Sequence, residues 1–161
     1  MGLTALCPGT FDPVTNGHLD IIERAAQHFD VVLVAVFENP DKLPLLGAAE
    51  RVAMLKEAVA DLSKVQVESF SGLLVEFARQ KGSRIIVKGL RAVSDFETEI
   101  QMAQMNRRLA DVETLFIPAA PNWSFLSSSL VKEVARFGGD VTGLVPPAVA
   151  ERLAEKLGGV A

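Results

Sequence analysis

His18, Lys42, Lys88 and Arg91, together with Thr10 and the serines 127, 128 and 129, are the residues of this 161-residue chain whose types and spacing could do chemistry. Three cations and an imidazole beside hydroxyls describe a pocket for phosphates, because each can donate a hydrogen bond to an anionic oxygen. The chain carries a net charge of −4, so these cations are a local concentration in an acidic protein, not the clustered basic excess that coating a nucleic acid requires. No strong base stands among them. That favours phosphoryl or nucleotidyl transfer, where positioning and charge stabilisation supply most of the catalysis.

Each residue also has an ordinary reading. His18 could be structural, Lys42 a solvated loop lysine, one serine an N-cap, Trp123 a packing residue and Glu99 a solvated carboxylate. Lys88 is the hardest to dismiss, since it follows a β-branched run directly and is itself followed by Gly89 and Arg91, where a glycine would let a ligand approach the backbone.

The elements that must position these residues alternate strand and helix. An apolar run over 3–6 leads into CPGTFDPVTNGH, a turn-rich stretch ending at His18, after which Ile22, Ala25, Ala26 and Phe29 recur at the spacing of one helix face. Such a helix start leaves backbone N–H groups free for an anion. VVLVAVFE over 31–38 reads as a parallel strand covered on both faces, and the proline-rich loop 39–47 after it carries Lys42. A helix over 48–60 follows, with Val52, Leu55, Lys56 and Val59 on its inner face, and then a strand over 65–70. Ser71 is placed to cap a helix over 72–81 that ends at Gly82.

A strand over 85–87 delivers Lys88, Gly89, Leu90 and Arg91 to its carboxyl end, and Ser94 is placed to cap a long helix to Ala110. That helix has two apolar stripes, one of Phe96, Ile100 and Ala103 and one of Met102, Met105 and Leu109. This is more than one sheet needs, so the second stripe is either a subunit contact or further core. A fifth strand over 114–117, a loop through Trp123, a helix opened by the three serines and a last helix after Pro146 and Pro147 complete the chain. The expectation is a single domain over 1–161: an α/β, Rossmann-like, open five-stranded parallel sheet with helices on both faces and its ligands at the carboxyl ends of the strands.

Several classes are excluded or demoted. The sequence has no GxxxxGK[ST], no GxGxxG, no HExxH and no CxxC, which removes P-loop, dinucleotide-fingerprint and common zinc chemistries. Its single cysteine, Cys7, cannot form an internal disulfide, and at a strand end it reads as buried and inert. The opening residues lack a secretory pattern and the longest apolar run is far shorter than a membrane span, so the expectation is a cytoplasmic protein with no membrane partner. On the same ground Asn122-Trp123-Ser124 is not read as a glycosylation acceptor.

PGTFDPVTNGH resembles the signature of the nucleotidyltransferase superfamily, with TNGH similar to its short histidine motif. KGLRAVSDFETEIQMAQMN and WSFLSSSLVKEVARFGGDV resemble the bacterial phosphopantetheine adenylyltransferases, and the similarity runs from Leu6 to the final helix. The resemblance implies reversible transfer of the adenylyl group of ATP to 4'-phosphopantetheine, giving dephospho-coenzyme A and pyrophosphate, with Mg2+, in a homohexamer open to feedback by coenzyme A. It implies catalytic roles for His18, Lys42 and Arg91. It implies an ATP site of Thr10, Phe11, His18, Gly89, Leu90, Arg91, Glu99, Trp123, Ser124, Phe125, Leu126, Ser127, Ser128 and Ser129, and an acceptor site of Thr10, Lys42, Leu74 and Lys88. No protein metal ligands are implied. Lysine at 88, where many members have arginine, keeps the charge and loses the forked geometry. Cys7 likewise stands where many members have tyrosine. The alternatives are a nucleotidyltransferase with another phosphorylated acceptor, since the first motif is shared, or a non-catalytic nucleotide sensor.

Overall fold

The computed structural model describes residues 2–158. The expected domain of 1–161 therefore includes Met1 and residues 159–161, which lie outside the described residues. Five strands, β1 (Thr4–Gly9), β2 (Val31–Phe37), β3 (Val65–Phe70), β4 (Ile85–Leu90) and β5 (Glu113–Pro118), form one parallel sheet in the order β3-β2-β1-β4-β5. Alternation along the strands divides the core between two faces. Ala5, Cys7, Val32, Val34 and Val36 pack under the helices α1 (Asn16–His28), α2 (Ala48–Ala58), α5 (Ser128–Arg136) and α6 (Pro147–Leu157). Leu6, Leu33, Ala35 and Ile86 pack under α3 (Leu74–Gln80) and the end of α4 (Val93–Ala110). Val32, Val34 and Val36 are fully buried, each stabilising the fold by roughly 1.5–3 kcal/mol relative to exposure.

The order reverses direction at β1, which has β2 on one side and β4 on the other. β1 pairs with β2 over six residues, Thr4 to Gly9, but with β4 only at Ala5–Ile85 and Leu6–Ile86. Beyond that point Cys7 to Gly9 and Val87 to Leu90 diverge. The gap opens at the carboxyl ends of the strands, where an open parallel sheet binds its ligands.

Four local readings differ from expectation. β4 runs on through Leu90, so Lys88 and Gly89 are strand residues in register with Phe116 and Ile117. α3 starts at Leu74 with Leu73 as its cap and no side-chain bond, because Gly72 at φ +83° turns the chain away between Ser71 and the helix. α4 starts at Val93, which puts Ser94 inside its first turn and leaves the cap to Ala92. In α2 the buried residues are Arg51 and Leu55, while Lys56 is exposed. On α4 both apolar stripes reach solvent, with Phe96 41 %, Met102 57 %, Met105 53 % and Leu109 57 % exposed and only Asn106 buried. The second stripe is not core of this chain.

Candidate active site

Thr15 is the N-cap of α1: its side chain accepts from the His18 N–H at 3.3 Å. His18 returns the contact, its Nδ1 accepting the Thr15 backbone N–H at 3.0 Å and lying 3.1 Å from the Thr15 hydroxyl. A backbone N–H can only donate, so Nδ1 is the unprotonated nitrogen and Nε2 carries the proton. Burial, and then the positive charges of Arg91 and Lys88, push the imidazole down from 6.5 to about 4. Two features hold the ring neutral in the protein alone. Protonation at Nδ1 would set N–H against N–H, and two cations already face the ring. Phe11, buried with φ at +51°, packs its ring edge-on to His18 with centroids 5.0 Å apart.

The gap between β1 and β4 is a cavity of about 350 Å3. It is lined by Phe11, His18, Lys88, Gly89, Arg91, Glu99, Trp123, Leu126 and the three serines, with Cys7 and Asp95 beside them. Lys88 reaches Glu99 of α4 at 3.3 Å, which takes Glu99 out of the role of a solvated carboxylate. Arg91 is braced by Asp95 at 3.1 Å and by the Leu126 carbonyl at 2.9 Å. Ser127 caps α5, accepting the Leu130 N–H, and the Ser128 hydroxyl donates to the Pro13 carbonyl at 2.7 Å. Two helix starts, α1 and α5, thus open on one cavity. Burial drives the Cys7 thiol up to about 12, against the pull of Lys88, so it is not an available nucleophile.

Gly89 lines the cavity and has a packing reason as well. A Cβ there would lie 2.9 Å from Cγ1 of Ile21. The missing side chain admits α1 against the sheet.

A second cavity, of about 540 Å3, adjoins the first at Ser129, which lines both. Its lining includes Thr10, Asp12, Glu38, Lys42, Arg51, Ser71 and Lys132. Asp12, buried at 4 % exposure, accepts the N–H groups of Leu45 and Leu46 at 2.9 and 2.8 Å and the Lys132 ammonium at 3.2 Å, holding the Lys42 loop to the first loop. Of the four residues expected to bind an acceptor, Thr10 and Lys42 meet here, whereas Lys88 lies in the first cavity. Leu74 lines neither and packs on the α3 side of the core. Leu90, Ser124 and Phe125 also line neither: Leu90 closes β4 and Phe125 is 57 % exposed. Sequence reasoning missed Asp12, Asp95, Arg51 and Lys132. Arg51 was detectable, standing four residues before Leu55 and eight before Val59 on one helix face. Among the described residues no group of three or more His, Cys, Asp or Glu is gathered to hold a metal ion, and no helix is long and apolar enough to cross a membrane.

Residues 6–134 match the Cytidylyltransferase-like family. The chain is 61 % identical over 155 residues to the phosphopantetheine adenylyltransferase of Heliobacterium modesticaldum, spanning 96 % of this chain and 92 % of that protein. It is 60 % identical over 153 residues to the enzyme of that name from Streptomyces coelicolor, spanning 95 % and 96 %. In fold it is similar to a putative nicotinate-nucleotide adenylyltransferase from Vibrio parahaemolyticus, with a TM-score of 0.71 at 19 % identity over 100 % of this chain and 98 % of that one. With its switch-point cavity, its capped histidine and relatives matched over nearly their whole length, the chain belongs to the Cytidylyltransferase-like family of nucleotidyltransferases, alongside the phosphopantetheine adenylyltransferases.

Proposed function

We propose that this protein transfers the adenylyl group of ATP reversibly to 4'-phosphopantetheine, releasing pyrophosphate and giving dephospho-coenzyme A. The observation that carries this reading is the pair of cavities meeting at Ser129, one walled by His18, Lys88 and Arg91 and the other by Thr10 and Lys42. ATP takes the first and the acceptor phosphate the second, so that the two reacting groups approach across the Thr10 and Ser129 boundary. Relatives at about 60 % identity carrying the phosphopantetheine adenylyltransferase name support the choice of acceptor.

An oxygen of the acceptor phosphate forms a bond to the α-phosphorus of ATP, the bond from that phosphorus to the bridging oxygen breaks, and pyrophosphate leaves with the electron pair. The attacking oxygen is already anionic and needs no base. The barrier is repulsion between two anions, which Lys42, Lys88, Arg91, the positive end of the α1 dipole and the Nε2–H of His18 offset. His18 acts as a neutral donor that follows the charge moving onto the leaving oxygen. Thr10 borders both substrates and Phe11 helps hold ATP, while Gly89, Glu99, Trp123 and residues 126–129 line the rest of the ATP cavity, with Leu90, Ser124 and Phe125 outside that lining. The donors here are cations, hydroxyls and N–H groups, not a carboxylate cage. Mg2+ would be held mainly by the triphosphate and water, with no protein carboxylates required, and would supply charge neutralisation. The exposed Met102, Met105 and Leu109 face supports a contact between subunits; the homohexamer of single-domain subunits and the cytoplasmic location are part of the reading taken from the family resemblance.

The test is pyrophosphate release from ATP and Mg2+ with 4'-phosphopantetheine, nicotinamide mononucleotide or glycerol phosphate as acceptor. Release with phosphopantetheine alone is expected. Release with another acceptor overturns the substrate, and ATP binding without release from any of the three overturns the catalytic role.

A further inference from the structure

Arg51 is 3 % exposed, yet no carboxylate pairs with it among the described residues. Its Nε donates to the Leu46 carbonyl at 3.0 Å, and its Nη1 donates to the carbonyls of Thr10 at 2.8 Å and Phe37 at 2.9 Å. All three partners are neutral. Asp12, a buried carboxylate of the same cavity, is already filled by two backbone N–H groups and Lys132, and Glu38, which also lines it, makes no ion pair with Arg51. A buried cation without a counter-charge is costly, and carbonyl dipoles compensate it only in part. The remaining nitrogen, Nη2, has no hydrogen-bond partner among the described residues and is not sealed from the second cavity, which Arg51 lines with Lys42 and Thr10.

We infer that the Nη2 edge of Arg51 is an anion-binding element of the second cavity, taking a phosphate monoester dianion whose charge completes this buried guanidinium. The inference rests on the reading of that cavity as the acceptor site and adds a residue to it. It also gives Arg51 a second task. The same guanidinium that meets the phosphate holds the Thr10 carbonyl, so it couples acceptor binding to the geometry of the loop between the two cavities. Lysine could keep the charge but could not span three carbonyls and still present a free N–H2 edge.

The experiment titrates inorganic phosphate into the wild-type protein labelled with 15N-arginine, following the Arg51 side-chain resonances. It also measures phosphate affinity calorimetrically for wild type and Arg51→Lys. The expected results are a saturable shift of the Arg51 nitrogens and a loss of affinity of at least about tenfold in the variant, the scale of one charge-assisted contact. In turnover, Arg51→Lys raises KM for phosphopantetheine and leaves KM for ATP unchanged. Phosphate that saturates the protein without moving the Arg51 nitrogens overturns the inference, and this readout stands even where the variant does not fold. The two levels separate cleanly. Phosphate binding at Arg51 in a protein that does not turn over phosphopantetheine supports the anion site and overturns the acceptor reading. Wild-type turnover with Arg51 unmoved overturns the anion site alone.

Discussion

The backbone N–H of Thr15 donates to Nδ1 of His18 at 3.0 Å, and that bond decides which form of the imidazole the first cavity meets. The ring presents Nε2–H and is kept neutral by burial and by two neighbouring cations. His18 is therefore a fixed hydrogen-bond donor whose worth depends on charge arriving at a phosphate oxygen.

His18→Ala should lower kcat by about 10^2–10^3-fold, the usual cost of losing one oriented donor to a developing oxyanion, while ATP affinity changes only a few-fold. Single-turnover rates and equilibrium binding separate the two. Equal losses in both would contradict a role confined to the transition state.

The same residue sets a pH dependence of stability. The folded-state value for His18, about 4, lies below its ordinary 6.5, so between these limits the unfolded chain binds a proton that the folded chain refuses. Stability is full above pH 6.5 and falls as the pH drops towards 4. Denaturant midpoints at pH 7.5 and 5 should fall further for wild type than for His18→Asn, and parallel falls would rule out this origin.

The architecture was legible because periodicity reports burial directly. The run of valines from Val31 reads as a strand covered on both faces, and Ile22, Ala25 and Phe29 read as one buried stripe. The grouping of His18, Lys88, Arg91 and the serines followed from the rule that parallel sheets bind at their carboxyl ends. Arg51, Asp12 and Lys132 escaped notice because a buried charge carries no periodic signal of its own; its partners are backbone groups remote in sequence. The separation of Lys88 from Lys42 was equally invisible. It depends on β1 and β4 parting after Leu6 and Ile86, which pairing in space decides and composition does not.

Gly89→Ala should destabilise the fold by about 1–3 kcal/mol through overpacking against Ile21, since the new Cβ would meet Cγ1 at 2.9 Å. In an Ile21→Ala background the same change should cost little. A double-mutant cycle measures this coupling, and additive effects would place the strain elsewhere.

Glu50 links the Lys42 loop to the last helix. Its carboxylate accepts from Arg152 at 2.7 Å, from the Gly47 N–H at 3.0 Å and from Lys156 at 3.1 Å, and these contacts, Arg152 foremost, lower it from 4.5 to about 2. Its contribution is complete above pH 4.5 and disappears as the pH falls to about 2. Glu50→Gln should cost about 1 kcal/mol at neutral pH, and its deficit against wild type should vanish in acid. Acid titration of both proteins by circular dichroism checks this.

The most direct test of the whole account runs the reaction backwards. Labelled pyrophosphate is supplied with Mg2+ and dephospho-coenzyme A, and labelled ATP is measured; a parallel sample contains ATP and labelled pyrophosphate without any pantetheine compound. Direct transfer between two adjoining cavities predicts labelled ATP in the first sample and none in the second. Label entering ATP without a pantetheine compound would reveal an adenylylated enzyme and contradict the account, as would failure to form ATP from dephospho-coenzyme A.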